Sequence, residues 1–165
     1  MSSLPFVEVR VLDERLHTWG LPAYQSADAA ALDLHACIDH VLLIAPESPA
    51  VLVSAGIAIH IGDPGVAAMI LPRSGLGHTA GLVLGNSVGL IDADYLGPVS
   101  ISVWNRNPHG TDPIRITPGD RIAQLVFVPI LRPAFRVVET FSRATERGES
   151  GFGSTGSGPP PERGA

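Results

Sequence analysis

Two short segments hold the residues whose chemistry is easiest to name. Gly89-Leu90-Ile91-Asp92-Ala93-Asp94-Tyr95-Leu96-Gly97 joins an apolar strand, an acidic turn, an aromatic ring and a glycine able to take φ > 0. A carboxylate fixed in a tight turn beside backbone amides can act as a general base towards water, and the same hairpin can grip a flat nucleobase by its edge. An ordinary acidic β-turn has the same composition. Arg73-Ser74-Gly75-Leu76-Gly77 sets a permanent cation, a hydroxyl and free backbone amides at the start of a short helix predicted from Ser74 to Gly81, with Ser74 as its N-cap. Charge, hydrogen bonds and the helix dipole suit that place to phosphate. A structural turn is the alternative.

Other chemistries fit less well. Gly75-x-Gly77-x-x-Ala80 matches a loose dinucleotide fingerprint, but no βαβ unit surrounds it. The run from Gly148 to Gly153 resembles a phosphate loop without its lysine, and no long helix can follow. Arg147 and Phe152, spaced by glycines, suit a segment that folds over an anionic, flat ligand; a disordered tail is the alternative. His35, Cys37 and His40 are zinc-ligand types without a second cluster to complete a tetrahedron. Asp92 and Asp94 would need further carboxylates to hold a metal pair. There is no Gly-x-Ser-x-Gly and no arrangement around Cys37 that suits a nucleophile.

The elements that must position these residues are mostly strands. Val7, Val9 and Val11 alternate with Glu8 and Arg10; Ile57, Ile59 and Ile61 repeat the pattern around His60; Val99, Ile101 and Val103 alternate with serines. Leu125 to Val128 is a continuous apolar run, as in a strand buried on both faces. Phe135, Val137 and Val138 predict a further strand. Turn signals fall at Gly62 to Gly65, Asn107 to Gly110 and Thr117 to Asp120. Many short strands at this spacing indicate an all-β sandwich or barrel. Ala27 to Leu34 reads as helix on propensity alone.

The totals agree. The 165 residues suit one domain, and 45% are apolar, which excludes a disordered chain. With 18 Gly and 15 Pro, long helices have little room. A net charge of −5 argues against a nucleic-acid polymer as partner but leaves room for a small anion held by a few arginines. One cysteine, no basic-then-apolar leader and no membrane-length apolar run predict a cytoplasmic protein with no membrane partner. From Arg147 the composition turns to Gly, Ser, Thr and Pro, which reads as a mobile arm.

Taken in order, five segments resemble the motifs of the trimeric dUTPases, the deoxyuridine triphosphate nucleotidohydrolases. Ala31 to Ala36 resembles motif one, Pro72 to Gly77 motif two, Gly85 to Gly97 motif three, Gly119 to Phe127 motif four and Arg147 to Gly156 motif five. The likeness runs from about Val7 to Gly156 and includes Ile101 to Arg106 between motifs. Ala31 stands where many relatives have Gly, His35 where Arg is frequent, and Ser150 at a variable position.

The resemblance implies a β jelly-roll or β-clip type distorted barrel with one short helix, assembled as a homotrimer with shared active sites. It implies a β domain over 1–146 and an arm over 147–165, whose lid motif spans 147–156. The implied reaction takes dUTP and water to dUMP and pyrophosphate, which keeps uracil out of DNA and supplies dUMP for thymidylate synthesis. Asp92 becomes the base that activates water. Arg73, Ser74 and Gly75 hold the phosphates; Asn86, the backbone of Leu90 and Ile91, and the backbone at Ser100 read uracil. Tyr95 lies under the deoxyribose, Arg147 meets the γ-phosphate and Phe152 covers the base. Mg2+ is the implied cofactor, with no direct protein ligand and with Asp33 and Gln124 reaching it through water. The alternatives are a dCTP deaminase-like enzyme on the same fold and a catalytically idle nucleotide-sensing module.

Overall fold

The computed structural model describes residues 6–143, 145 and 148. The chain divides into two units, Met1–Arg132 and Pro133–Ala165. Among the described residues of the first, ten strands follow one another: β1 (Glu8–Val11), β2 (Leu32–His35), β3 (Leu42–Ile44), β4 (Val51–His60), β5 (Val66–Pro72), β6 (Leu82–Leu84), β7 (Gly89–Ile91), β8 (Pro98–Asn105), β9 (Ile114–Ile116) and β10 (Arg121–Pro129). They form two four-stranded sheets, β1-β4-β8-β6 and β2-β10-β5-β7, and a small pair, β3-β9. Every pairing is antiparallel. This is the all-β architecture that the strand patterns indicated, of the jelly-roll type that the resemblance implied.

Alternation explains the core. On β8, Val99, Ile101 and Val103 point inwards while Ser100 and Trp104 face out. They join Val53, Ile57, Ile59, Ile70, Leu84 and Leu125 from both sheets in one apolar cluster. Gly56 interrupts the alternation of β4: its φ of +71° belongs to a bulge that shifts the register between Ser54 and Ala58. The three turns read from sequence form. Asp120, for example, donates its amide to Thr117 O and accepts the Thr117 amide at 2.7 Å.

Three local expectations give way. Ala27 to Leu34 contains no helix; its last residues enter β2, where pairing with β10 outweighs alanine propensity. The helix expected from Ser74 to Gly81 is a short turn that widens to π geometry over Leu76–Ala80 and ends at Gly81 in the left-handed conformation. Ser74 lies inside it instead of capping it, because the Arg73 carbonyl already accepts the Gly77 amide at 2.8 Å. A four-residue helix, Leu16–Trp19, forms where none was expected. It anchors on buried Leu16 and on the amide of Gly20, which bonds back to Leu16 O at 2.9 Å.

In the second unit the strand expected at Phe135 to Val138 is not formed. Phe135 and Val137 are 99% and 97% exposed, and a strand with no partner leaves its backbone groups and apolar side chains unsatisfied. Thr145 and Gly148 close a turn through backbone and hydroxyl bonds. Arg147, Phe152 and the rest of 149–165 lie outside the described residues, as does the expected boundary between 146 and 147.

Candidate active site

Motifs one, two and four meet on one sheet because β10 lies between β2 and β5. Its register sets Gln124 opposite both Asp33 and Leu71, and Ala123 opposite Pro72. The Asp33 carboxylate, 13% exposed, accepts Arg73 Nε at 3.2 Å through one oxygen and Arg121 Nη1 at 3.1 Å through the other. Arg73 also donates Nη1 to the Arg121 carbonyl at 2.7 Å, and Gln124 donates Nε2 to Pro72 O at 3.0 Å. These bonds fix the chain direction as it leaves β5, so that Ser74 and Gly75 emerge exposed. A cavity of about 450 Å³ opens beside them, lined by Arg73, Arg115, Arg121 and His35 among others. Burial, and next the nearby Arg121 cation, lower the His35 pKa. Both effects favour the uncharged imidazole beside the guanidinium groups.

Arg121 was not among the residues singled out from sequence. Its signal was its place after Gly119-Asp120 at the head of a strand, but only the cross-strand register to β2 reveals Asp33 as its partner.

Motif three has a different construction from the expected hairpin. β7 pairs with β5 in one sheet, while β8 pairs with β4 and β6 in the other, so Asp92 to Gly97 is a crossover between sheets. Ala93 and Asp94 form its turn, closed by the Tyr95 amide on Asp92 O at 3.2 Å. Gly97 does not take positive φ. It supplies room instead: a Cβ there would strike the Tyr95 ring. The Tyr95 hydroxyl donates to Pro98 O at 3.1 Å, and the Gly62 amide donates to Ala93 O at 3.1 Å, which pins the turn from behind.

β7 is the edge strand of its sheet, so half the backbone groups around Leu90 and Ile91 face outwards unpaired. Asn86 is exposed on the turn before it. Ser100 lies on β8 beyond the reach of β6, whose register ends with Leu84 opposite Val103. Asp92 is exposed and lines a second cavity of about 450 Å³ with His60, Asp94 and Arg132.

The two turns do not meet within one chain. Ala68 pairs with Ile91, so Asp92 falls across from Ala67 near the start of β5, whereas Arg73 follows its last residue. At roughly 3.3 Å per residue, about 20 Å of strand separates them.

An all-β subunit with an arginine-bearing turn at one end of a strand and a carboxylate turn at the other fits a small enzyme acting on a phosphate-bearing substrate. The dUTPase family model matches residues 17–156, and the chain belongs to that family. It is 59% identical over 150 residues to the deoxyuridine 5'-triphosphate nucleotidohydrolase of Azoarcus sp. (strain BH72), covering 91% of this chain and 97% of the relative. The enzyme of the same name from Bordetella pertussis is 56% identical over 152 residues, covering 92% and 98%. Among solved structures, a mutant dUTPase of Staphylococcus bacteriophage 80alpha with dUpNHpp superposes with a TM-score of 0.79 at 27% identity, covering 92% of this chain and 99% of that one. A phage phi11 dUTPase with a structural Mg(II) ion, at 24% identity and a TM-score of 0.69, covers 82% and 98% and bears on the fold alone.

Among the described residues no helix is long and apolar enough to cross a membrane, and no three His, Cys, Asp or Glu side chains gather as a metal site.

Proposed function

We propose that this chain hydrolyses dUTP to dUMP and pyrophosphate. The observation that carries the reading is family membership across residues 17–156, a span that contains both the Arg73 turn and the Asp92 turn. A deaminase or an idle sensor gains no support from any contact described above.

Asp92, exposed on a turn held by Gly62 and Tyr95, takes the proton of the water that attacks the α-phosphorus. Arg73, Ser74 and Gly75 bind the phosphates, with Arg73 fixed by Asp33. Asn86, the outward backbone of Leu90 and Ile91, and the Ser100 backbone read the uracil edge. Fixed donors and acceptors reject cytosine, which reverses the O4 and N3 pattern, by about 10⁴–10⁵. The Tyr95 ring lies under deoxyribose and leaves no room for a 2′-hydroxyl. Arg147 and Phe152 close over the γ-phosphate and the base.

The donors near Arg73 fit a hydrated divalent cation reached through water. Both Asp33 oxygens already accept a guanidinium and keep a second lone pair each, and Gln124 keeps its carbonyl oxygen. Bound with the triphosphate, Mg2+ supplies the charge that neutralises the departing pyrophosphate.

The reading includes a homotrimer. The 20 Å between Arg73 and Asp92 exceeds what one attacking water and one phosphorus can bridge, so a second copy completes the site. Exposed Leu131, Phe135, Val137 and Phe141 supply apolar surface for assembly.

The test is pyrophosphate release from a panel of dUTP, dCTP, dTTP and UTP, with and without a divalent cation. Cation-dependent turnover of dUTP far above the others is expected; comparable turnover of dCTP or UTP would refute the specificity.

A further inference from the structure

The turn that presents Arg73, Ser74 and Gly75 is too short and too irregular to hold its own shape. Five residues of π geometry close few internal bonds, and such turns persist only where surroundings fix them. The surroundings here are the end of β8. The Arg106 guanidinium donates Nε to Gly77 O at 3.0 Å and Nη2 to His78 O at 3.4 Å, while its own amide donates to Gly81 O at 3.0 Å. Asn107 adds Nδ2 to Ala80 O at 2.8 Å. Asn107 is itself placed by buried Asn105, which accepts its amide at 2.9 Å and donates Nδ2 to Ile44 O at 2.9 Å. Gly81 completes the fit, since any Cβ there would collide with the Asn107 amide group. The carbonyls at the end of the turn thus meet a cation and an amide, where a helical end carries its partial negative charge.

We propose that Arg106, with Asn107 behind it, is a positioning residue for phosphate binding: it clamps the C-terminal carbonyls of the turn and thereby aims the Ser74 hydroxyl and Gly75 amide at the phosphate chain. The proposal rests on the assignment of that turn to phosphate. Arg106 is exposed, so its removal leaves the core intact and acts on the turn alone. Misplacing binding groups by a fraction of an ångström is enough to cost much of their contribution.

The experiment uses the full-length protein and measures binding of dUpNHpp and of deoxyuridine, which has no phosphate, together with dUTP kinetics. Arg106→Ala should bind dUpNHpp about tenfold more weakly, with deoxyuridine affinity and thermal stability nearly unchanged. Arg106→Lys, able to reach one carbonyl, should recover part of the loss. Unchanged dUpNHpp binding by Arg106→Ala would overturn the proposal, as would a parallel loss for both ligands, which marks a general structural role. Wild-type protein that hydrolyses no dUTP and binds dUpNHpp no better than deoxyuridine would overturn the phosphate assignment and this proposal with it.

Discussion

The ring of Tyr95 occupies the space that a side chain on residue 97 would need, so Gly97 is the platform on which the tyrosine rests. The Tyr95 hydroxyl, donated to Pro98 O, holds that same end of the ring over Gly97. Its tilt, and with it the room left beside the sugar, depends on the absence of one methyl group.

Gly97→Ala should therefore push the ring outwards with little change in the core. Discrimination between dUTP and UTP should fall by about tenfold, from loss of close packing on the sugar. Steady-state kinetics on both nucleotides check this; an unchanged ratio would mean that Tyr95 does not police the 2′ position.

Asp92→Asn keeps the shape of the turn and removes its basicity. Turnover of dUTP should drop by about 10²–10⁴ while dUpNHpp affinity stays within a few-fold. Turnover near the wild-type value would assign the base elsewhere.

Much of this was legible in the sequence because alternation along β1, β4 and β8 is a local signal, and so are the turn residues at 62–65, 107–110 and 117–120. Pairing partners are not local. Nothing near Ile91 says that β7 joins β5 while the next strand joins the other sheet, so a crossover read as a hairpin. Arg121 and Arg106 were missed for the same reason: their partners lie 88 and 29 residues away. Phe135 and Val137 show the converse case, strand-like residues with no strand to pair with among the described residues.

Burial pushes the Cys37 thiol up from 9.0 to about 11, aided by the Asp13 charge. The folded pKa is raised, so the protonated thiol's contribution to stability is fully present below the unfolded value and is lost as pH climbs through the folded one. Between about pH 9 and pH 11 the melting temperature of the wild type should fall relative to that of Cys37→Ala. Parallel curves across that window would show that the thiol does not titrate late. At pH 8, alkylation should be slow until the protein is unfolded.

Removal of 147–165 should leave a folded, assembled protein with kcat/KM reduced by at least tenfold. Loss of Phe152 stacking alone is worth roughly 1–3 kcal/mol. Phe152→Ala should therefore be milder than the deletion, and a truncated enzyme with full kcat/KM would deny the arm any part in the site.

The separation of Arg73 from Asp92 along β5 makes a shared site the central claim, and subunit mixing addresses it most directly. Asp92→Asn and Arg73→Gln proteins, each nearly inactive, are unfolded together, refolded and assayed for dUTP hydrolysis. If every site takes its base from one subunit and its arginine from another, random assembly restores roughly a quarter of the sites, and activity should return to about that fraction of wild type. Mixed assemblies that stay as inactive as their parents would contradict the account, because they would place both residues of each site in the same chain.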